Sequence, residues 1–283
     1  MPHAAFSPNN VAVITGGASG IGLAAAMKFA GFGMKVCIAD LGDDRLAQAA
    51  AKLAQVAPGG AAGIMTAAVD VSHVGAVAGL EAAVQQRFGG TDVLMNNAGI
   101  GPDSTSFGPL ENWQRILNVN LWGVIHGTQI FAPGMVKRGR PGLIINTGSK
   151  QSITTPPGNP AYNVSKAGVK ALTEALQHEL RNTKDGKISA HLLIPGHVFT
   201  GLTARGRSEK PDGAWTPEQT VDFMIEKIEA GDFYILCPDN DAPRSLDERR
   251  MLWAAGDIVE NRPPLSRWHP DYAEAFAEFV KQK

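Results

Sequence analysis

Short apolar runs alternate with longer segments of helical period along most of the chain. The runs are continuous stretches of Val, Ile, Leu, Ala and Met, typical of strands buried on both faces of a parallel sheet. They predict seven strands, at Val11–Thr15, Lys35–Ala39, Gly63–Val69, Asp92–Met95, Gly142–Asn146, Ile188–Ile194 and Phe233–Leu236. Helices are predicted between them at Gly20–Ala30, Asp43–Val56, Val74–Phe88, Leu110–Arg138, Ala161–Thr183 and Pro217–Ala230.

This alternation predicts an α/β fold of the Rossmann type, with an open, doubly wound, mostly parallel seven-stranded sheet and helices on both faces. It continues without a linker to about residue 236. Residues 1–238 are therefore expected to form one domain. Residues 239–283 are a short C-terminal extension, whose aromatic side chains are expected to pack on the core or on a neighbouring subunit.

Composition narrows the range of partners. The 283 residues include 26 Lys plus Arg and 27 Asp plus Glu, so the formal charge of −1 gives no reason to expect a nucleic-acid or anionic-membrane partner. No apolar stretch is long enough to cross a bilayer, and the first ten residues lack the pattern of a secretory signal. Cys37 and Cys237 are interpreted as buried free thiols, and the histidines show no metal-ligand spacing. We expect a cytoplasmic protein without a metal site.

Glycine is over-represented, with 32 of 283 positions against roughly 7% in average usage. Several of these glycines fall in the segment Thr15–Gly22, between the first strand and the first helix. Glycines there allow a sharp turn and let backbone N–H groups and a helix N-terminus approach a pyrophosphate. The alternative is an ordinary tight turn. The residues predicted to bind the pyrophosphate are Gly16, Ser19, Gly20, Ile21 and Gly22.

The second predicted strand is followed by an acidic residue, Asp40. A carboxylate at this point can hold the ribose 2′-hydroxyl of NAD and would repel the 2′-phosphate of NADP. No basic residue occupies Ala18, Ser19 or Leu41, where it could offset that repulsion. The sequence therefore favours NAD, although Asp40 could also be a surface residue that caps the following helix.

Two further motifs determine the class of protein. Asn96-Asn97-Ala98-Gly99 follows the fourth predicted strand, and Tyr162-Asn163-Val164-Ser165-Lys166 lies at the start of the helix after the fifth. With the glycine turn, they resemble the single-domain branch of the short-chain dehydrogenase/reductase family, over residues 10 to about 236. The resemblance implies an NAD-dependent oxidoreductase that interconverts a secondary alcohol and a ketone by hydride transfer. The alternative is a catalytically silent NAD(H)-binding sensor or scaffold of the same fold.

The family resemblance assigns catalytic roles to four residues. Tyr162 and Lys166 are four positions apart, so they share one face of a helix. The resemblance implies that Tyr162 is the general acid/base, and that Lys166 lowers the pKa of Tyr162 and binds the nicotinamide ribose. Ser149, thirteen residues before Tyr162, would hydrogen-bond the reacting oxygen, in preference to Ser152. Asn120 would hold a water in a proton relay, unless it only bonds a helix carbonyl.

The resemblance also implies further cofactor contacts. Asp70 and Val71 would flank the adenine, and a turn after the sixth strand would approach the nicotinamide and the phosphates. The remaining predicted cofactor-binding residues are Asn97, Ala98, Gly99, Pro195, Gly196, Val198 and Thr200. His197 lies in the same turn but is not assigned a catalytic role.

Three expectations concern the substrate and the assembly. Lys150 either contacts a polar substrate group or points to solvent, and the sequence favours solvent. Large apolar side chains suggest a pocket for a bulky alcohol or ketone, namely Phe107, Ile153, Phe199, Leu202 and Trp215. In the family the helices that contain Asn120 and Lys166 form subunit contacts, so a homodimer or homotetramer is expected.

Overall fold

The computed structural model describes residues 3–204 and 206–281. Five residues of the two predicted segments lie outside the described residues: Met1, Pro2, Arg205, Gln282 and Lys283.

The described residues form a seven-stranded parallel sheet with helices on both faces, as predicted. The strands are β1 Val11–Thr15, β2 Lys35–Asp40, β3 Ile64–Ala68, β4 Val93–Asn96, β5 Gly142–Thr147, β6 Ile188–Ile194 and β7 Tyr234–Leu236. The α-helices are α1 Gly20–Gly31, α2 Asp43–Val56, α3 Val74–Phe88, α4 Leu110–Leu117, α5 Gly123–Arg138, α6 Gln151–Thr154, α7 Pro160–Arg181, α8 Gly201–Ala204, α9 Pro217–Glu229, α10 Arg244–Val259 and α11 Ala273–Lys281. Short 3-10 segments lie at Ala4–Phe6, Gly60–Gly63, Ser266–Trp268 and Pro270–Tyr272.

The order of the strands places a crevice at the middle of the sheet. The order is β3-β2-β1-β4-β5-β6-β7, so the chain winds outwards from β1 to β3 and then returns to the other side of β1. In such sheets ligands bind outside the carboxyl ends of the strands where the order reverses. Thr15 at the end of β1 and Asn96 at the end of β4 border this point.

Both faces of the sheet are covered by apolar side chains, as the continuous apolar runs predict. Ala12 and Ile14 of β1 pack on one side with Phe29 of α1. Val11 and Val13 point to the other side, where Phe131 of α5 lies. The two cysteines are free and buried, and none of the described helices is long and apolar enough to span a membrane.

The segment predicted as one helix over 110–138 contains a π-helical turn at Asn118–Trp122. Such turns contain one more residue than an α-helical turn and are frequent at functional sites. Here the turn contains Asn120, whose side chain is fully buried. The 3.6-residue pattern of apolar positions predicts the helix but does not report a local change of pitch.

The residues after β7 pack around Trp253 of α10. The Trp253 indole lies edge-on to the rings of Phe276 and Phe279 of α11 and donates a hydrogen bond to Ser266, with Nε1 and Oγ 2.8 Å apart. The Arg262 guanidinium lies 4.1 Å from the ring centroid. Helix α10 also contacts α6, the short helix beside Ser149.

Two glycines of α5 provide a test of how closely this helix packs on the sheet. A Cβ on Gly127 would overlap the buried side chain of Asn96 and lie 2.9 Å from its Cγ, whereas the nearest atom to a Cβ on Gly134 is 3.7 Å away. We expect Gly127→Ala to lower the free energy of unfolding by about 1–3 kcal/mol, because the core cannot accept the methyl group. Gly134→Ala, the matched control, should raise it by up to about 1 kcal/mol.

Urea unfolding of the two variants measures both effects. Equal stability of the two variants would contradict the close contact between α5 and β4.

Candidate active site

The turn between β1 and α1 is shaped to accept a phosphate group. A Cβ on Gly22 would overlap the Gly16 carbonyl oxygen and lie 2.6 Å from Nδ2 of Asn97, so that only glycine fits. Ser19 at the N-cap makes no side-chain hydrogen bond to the helix, so the first N–H groups and the positive end of the α1 dipole face the crevice. These features fit the pyrophosphate of a dinucleotide. The five predicted pyrophosphate residues all lie in this turn or at the start of α1: Gly16, Ser19, Gly20, Ile21 and Gly22.

Asn97 joins the ends of three strands. Its Nδ2 donates to the carbonyl oxygens of Thr15 and Gly16, at 3.2 Å each, and its Oδ1 accepts a hydrogen bond from Oγ1 of Thr147 at 3.3 Å. The side chain therefore braces the glycine turn against β4 and β5. Ala98 and Gly99 follow directly: a Cβ on Gly16 would lie 2.8 Å from the Ala98 Cα, and a Cβ on Gly99 would lie 3.9 Å from Nζ of Lys166.

Asp40 lies at the carboxyl end of β2, oriented by two backbone groups. Its Oδ2 accepts a hydrogen bond from the Ala18 N–H at 3.0 Å, and its Oδ1 accepts one from the Leu41 N–H at 2.7 Å. The N-cap of α2 is Gly42, so Asp40 does not cap that helix. A basic residue that sequence reasoning missed, Arg45, lies beside it, with Nη2 3.5 Å from Oδ1. The sequence could have indicated this contact, because Arg45 lies in the first turn of the helix that follows Asp40.

Asp70 and Val71 lie on the same edge of the sheet, after β3. The Asp70 carboxylate accepts a hydrogen bond from the Ser72 N–H at 2.9 Å. Partial burial acts to raise its pKa, but the hydrogen bonds from Ser72 and the nearby His73 hold the pKa of Asp70 below its usual value. The Val71 side chain is buried against Gly123 at the start of α5.

Lys166 is buried beneath the crevice on α7. Asn159 caps this helix by accepting a hydrogen bond from the Tyr162 N–H at 3.3 Å, which fixes the first turn. The Lys166 ammonium donates to the Thr147 carbonyl at the end of β5, at 2.7 Å, and its Nζ lies 5.8 Å from the centroid of the Tyr162 ring. Only 3% of Lys166 is exposed, and burial lowers its pKa to about 8.

The Tyr162 hydroxyl lies near the Ser149 side chain. Burial raises the pKa of Tyr162, and hydrogen bonding to Ser149 offsets this rise only in part. Lys166 was expected to lower the pKa of Tyr162, but among these side chains alone the pKa of Tyr162 is raised. Ser152 instead donates its hydroxyl to the Ser149 carbonyl at 2.5 Å.

Asn120 connects the π-helical turn to the segment after β4. Its Oδ1 accepts from the Ile100 N–H at 2.8 Å, and its Nδ2 donates to the Ile100 carbonyl at 2.9 Å. The same Oδ1 and the Lys166 Nζ both border Gly99, since a Cβ there would lie 3.5 and 3.9 Å from them. The structure thus brings Asn120 and Lys166 to one side of the crevice.

The turn after β6 closes the crevice from the other side. Its carbonyl at Pro195 accepts a hydrogen bond from the Lys150 N–H at 3.2 Å. Val198 is buried, and Thr200 lies close enough to α1 that a Cβ on Gly20 would be 3.1 Å from its methyl group. Gly196 lies beneath a pair of charged side chains from other parts of the chain.

The predicted apolar substrate residues lie in different surroundings. Phe107 is fully exposed, and Trp215 packs edge-on against Phe223. Of the predicted apolar set, Leu202 lies beside Gly101 and close to the Tyr162 ring. Lys150 does not point to solvent, because its Nζ forms ion pairs with two carboxylates of the C-terminal segment. Within the described ranges, no group of three or more His, Cys, Asp or Glu side chains is placed to hold a metal ion.

Comparison with known proteins agrees with this geometry. A family model described as short chain dehydrogenase matches residues 10–211. The chain is 31% identical over 264 residues to the 1-deoxy-11-beta-hydroxypentalenate dehydrogenase of Streptomyces exfoliatus, covering 91% of this chain and 93% of the relative.

Solved structures give the same result. A short chain dehydrogenase/reductase from Burkholderia phymatum in complex with NAD superimposes with a TM-score of 0.81 at 31% identity, covering 92% of this chain and 97% of the other. An alcohol dehydrogenase from Thermococcus sibiricus complexed with 5-hydroxy-NADP gives a TM-score of 0.68 at 28% identity, covering 78% and 90%.

The family model matches most of the chain, and the relatives are similar to it over nearly their whole length. Both findings agree with the geometry of the site. The chain belongs to the short-chain dehydrogenase family, and it is an oxidoreductase of hydroxyl or ketone substrates that uses a nicotinamide cofactor.

Proposed function

We propose that the chain is an NAD-dependent oxidoreductase that interconverts a secondary alcohol and a ketone, with Tyr162 as the general acid/base. The observation that carries the proposal is the convergence of four polar side chains at the carboxyl ends of β4 and β5. They are Asn120, Ser149, Tyr162 and Lys166. A substrate oxygen that reaches both the Tyr162 and the Ser149 hydroxyl groups would receive two hydrogen bonds.

The residues along the crevice would hold the cofactor in a defined direction. The α1 N-terminus and the glycine turn would bind the pyrophosphate, with Asp40, Asp70 and Val71 on the adenosine side. On the nicotinamide side the candidates are Asn97, Ala98, Gly99, Pro195, Gly196, Val198, Thr200, Tyr162 and Lys166. When bound, a nicotinamide cofactor supplies the hydride acceptor for oxidation or the hydride donor for reduction.

Tyr162 handles the proton of the substrate hydroxyl in this proposal. Because burial raises the pKa of Tyr162, its hydroxyl retains a proton at neutral pH and can donate that proton to a ketone oxygen. In the oxidation direction, Tyr162 first gives up its own proton towards Lys166 and solvent, and the resulting phenolate then accepts the proton of the alcohol. Ser149 orients the same oxygen and stabilises the charge that develops on it.

Lys166 and Asn120 connect Tyr162 to water. The pKa of Lys166 is about 8, so its ammonium can release and regain a proton near neutral pH. Nζ of Lys166 and the side-chain Oδ1 of Asn120 both border Gly99, and a water between these two atoms would complete a path to solvent. The Ser165 hydroxyl, 3.4 Å from Nδ2 of Asn120, helps to fix the amide orientation.

Asp40 supports NAD over NADP. Its carboxylate is held by Ala18 and Leu41 at the place where a ribose 2′-hydroxyl would lie, and a 2′-phosphate there would meet a negative charge. Arg45 weakens that charge but is itself paired with Asp40. NAD is therefore the expected cofactor as long as Asp40 is present.

A silent sensor is less well supported, because relatives with full-length similarity are named as dehydrogenases and because Tyr162, Lys166 and Ser149 are all present.

We also propose a homodimer or homotetramer. Leu110 of α4, Trp122 of the π-helical turn and Val164 of α7 present exposed apolar side chains on the two helices that the sequence assigns to subunit contacts.

Activity is tested with a panel of secondary alcohols and ketones, following NADH and NADPH absorbance. We expect turnover with NAD or NADH, and a loss of about 10²–10⁴-fold in kcat for Tyr162→Phe, because general acid/base catalysis contributes that much. Tyr234→Phe is the matched control, since the Tyr234 hydroxyl binds Glu174 at the surface, far along the sheet from this site. Near-normal turnover by Tyr162→Phe would exclude the mechanism.

Cofactor choice is tested at Asp40. We expect Asp40→Ala to raise the NADP-to-NAD ratio of kcat/KM by at least about tenfold, or about 1.4 kcal/mol, because the negative charge is lost and Arg45 becomes available to a 2′-phosphate. The double variant with Arg45→Ala should lose most of this gain. Asp43→Ala, an exposed carboxylate at the start of α2, is the control. A wild-type chain that prefers NADP would contradict the assignment.

Burial of the Lys166 ammonium should lower the free energy of unfolding. Its pKa is about 8 in the fold against 10.5 for the free side chain, which corresponds to roughly 3 kcal/mol. The cost is complete below pH 8 and disappears as pH rises towards 10.5, since only the unfolded chain binds the proton in that interval. We expect Lys166→Met to be inactive yet more stable than wild type at pH 7, with a smaller gain at pH 9.5.

Guanidinium unfolding at the two pH values measures this difference. Lys170→Met, on the exposed side of the same helix, should show no such gain. A Lys166→Met variant that is less stable at pH 7 would show that the ammonium is not penalised by burial.

A further inference from the structure

One carboxylate from the segment after β7 contacts both turns of the proposed active site. Oδ2 of Asp239 lies 3.0 Å from Nζ of Lys150 and accepts a hydrogen bond from the His197 N–H at 3.1 Å. Lys150 directly follows Ser149, and His197 lies between Gly196 and Val198 in the turn after β6. A single oxygen atom thus joins two turns: the one after β5 that contains Ser149 and Lys150, called here the serine turn, and the one after β6 at residues 195–200, called here the nicotinamide turn.

The Lys150 ammonium is also paired with a second carboxylate, on α10. Its Nζ lies 2.6 Å from Oδ2 of Asp247, and Asp247 in turn contacts Arg250 at 3.3 Å. The side chains of Lys150, Asp239 and Asp247 are 19%, 8% and 6% exposed. Charges this far from solvent are stable only when each has a partner. All of the carboxylate partners of Lys150 found in the described residues lie after β7.

Gly196 lies directly beneath this pair. A Cβ on Gly196 would be 2.5 Å from Oδ2 of Asp239 and 2.9 Å from Nζ of Lys150. The pair therefore packs on the backbone of the nicotinamide turn, and any side chain at this position would force it away. This gives Gly196 a packing role that a flexible turn alone would not require.

The same short segment supports the loop that follows the nicotinamide turn. The Asn240 N–H donates to the Gly213 carbonyl at 3.1 Å, and its side-chain Oδ1 accepts from the Trp215 indole at 3.1 Å. The Trp215 N–H donates to the His197 carbonyl at 2.8 Å. Residues 239 and 240 therefore contact the nicotinamide turn directly through Asp239 and indirectly through Trp215.

We propose that Asp239 is a positioning residue for catalysis. Through its contacts with Lys150 and His197, it fixes the position of Ser149 relative to the nicotinamide turn. This inference rests on the proposed function, since it assigns to the C-terminal segment a part in the chemistry of Ser149. A misplacement of about 1 Å at a reacting group can cost on the order of 10²-fold in rate. The brace made by Asp239, Lys150 and Asp247 limits such movement.

The experiment compares Asp239→Ala with a control in the same extension. Asp257 binds Arg262 at 3.0 Å and contacts neither turn, so Asp257→Asn loosens the extension without touching the brace. We expect Asp239→Ala to lower kcat by about tenfold or more, with less change in the KM of the alcohol, and Asp257→Asn to leave kcat unchanged. Asp239→Asn, which keeps an acceptor for the His197 N–H, should lose less than Asp239→Ala.

A double-mutant cycle with Lys150→Met tests whether the two residues act together. If they act through one ion pair, the double variant should lose no more kcat than the more damaging single variant. Additive losses, or a kcat for Asp239→Ala equal to that of Asp257→Asn at matched thermal stability, would overturn the proposal.

Hydrogen exchange separates the brace from the proposed activity. Asp239→Ala should speed amide exchange in residues 148–153 and 196–200, and Asp257→Asn should not. Unchanged exchange in both segments would overturn the brace even if the wild-type chain turns over alcohols. Faster exchange with an unchanged kcat would overturn its role in positioning. A wild-type chain without alcohol or ketone turnover but with the exchange pattern above would count against the proposed function alone.

Discussion

The burial of a lysine ammonium at the carboxyl end of β5 is the constraint around which the site is built. Lys166 is 3% exposed, and the Thr147 carbonyl that accepts its hydrogen bond is the last residue of a strand buried along its whole length. A charge in such a place is costly unless its environment is polar and fixed. The surrounding groups offset only part of that cost: the Thr147 carbonyl accepts a hydrogen bond from the ammonium, and Oδ1 of Asn120 borders the same glycine, Gly99.

A buried ladder of amides holds α7 in the position that this constraint needs. Asn96 of β4 donates to Asn146 of β5 at 2.9 Å, and Asn146 donates to Thr173 of α7 at 3.0 Å. Each bond lies in the core, where an unpaired amide would be costly. The ladder ties α7 to the two strands whose ends form the site, so Tyr162 and Lys166 reach the crevice from one rigid helix. Rigid support of this kind is what proton transfer between fixed groups requires.

The sequence predicts the parts of this arrangement that depend on local pattern. Continuous apolar runs predict all seven strands to within one residue at each end, and the glycine turn and the spacing of Tyr162 and Lys166 predict where the crevice lies. It does not predict contacts made between distant segments. The neighbour of Asp40, the partners of Lys150 and the rise in the pKa of Tyr162 depend on packing across the sheet. Lys150 illustrates the difference, because a lysine beside a turn is usually solvated, whereas here two carboxylates about ninety residues later enclose it.

Direct transfer of hydrogen from substrate to cofactor is the most direct test of the function assigned to the crevice. The chain would be given NAD and a turned-over secondary alcohol that carries deuterium on its carbinol carbon, and the products would be analysed by mass spectrometry. We expect a ketone and NADH with one deuterium atom, formed rapidly with wild-type protein and far more slowly with Tyr162→Phe. An unlabelled NADH, or firm NAD binding with no ketone from any secondary alcohol, would contradict the assigned function.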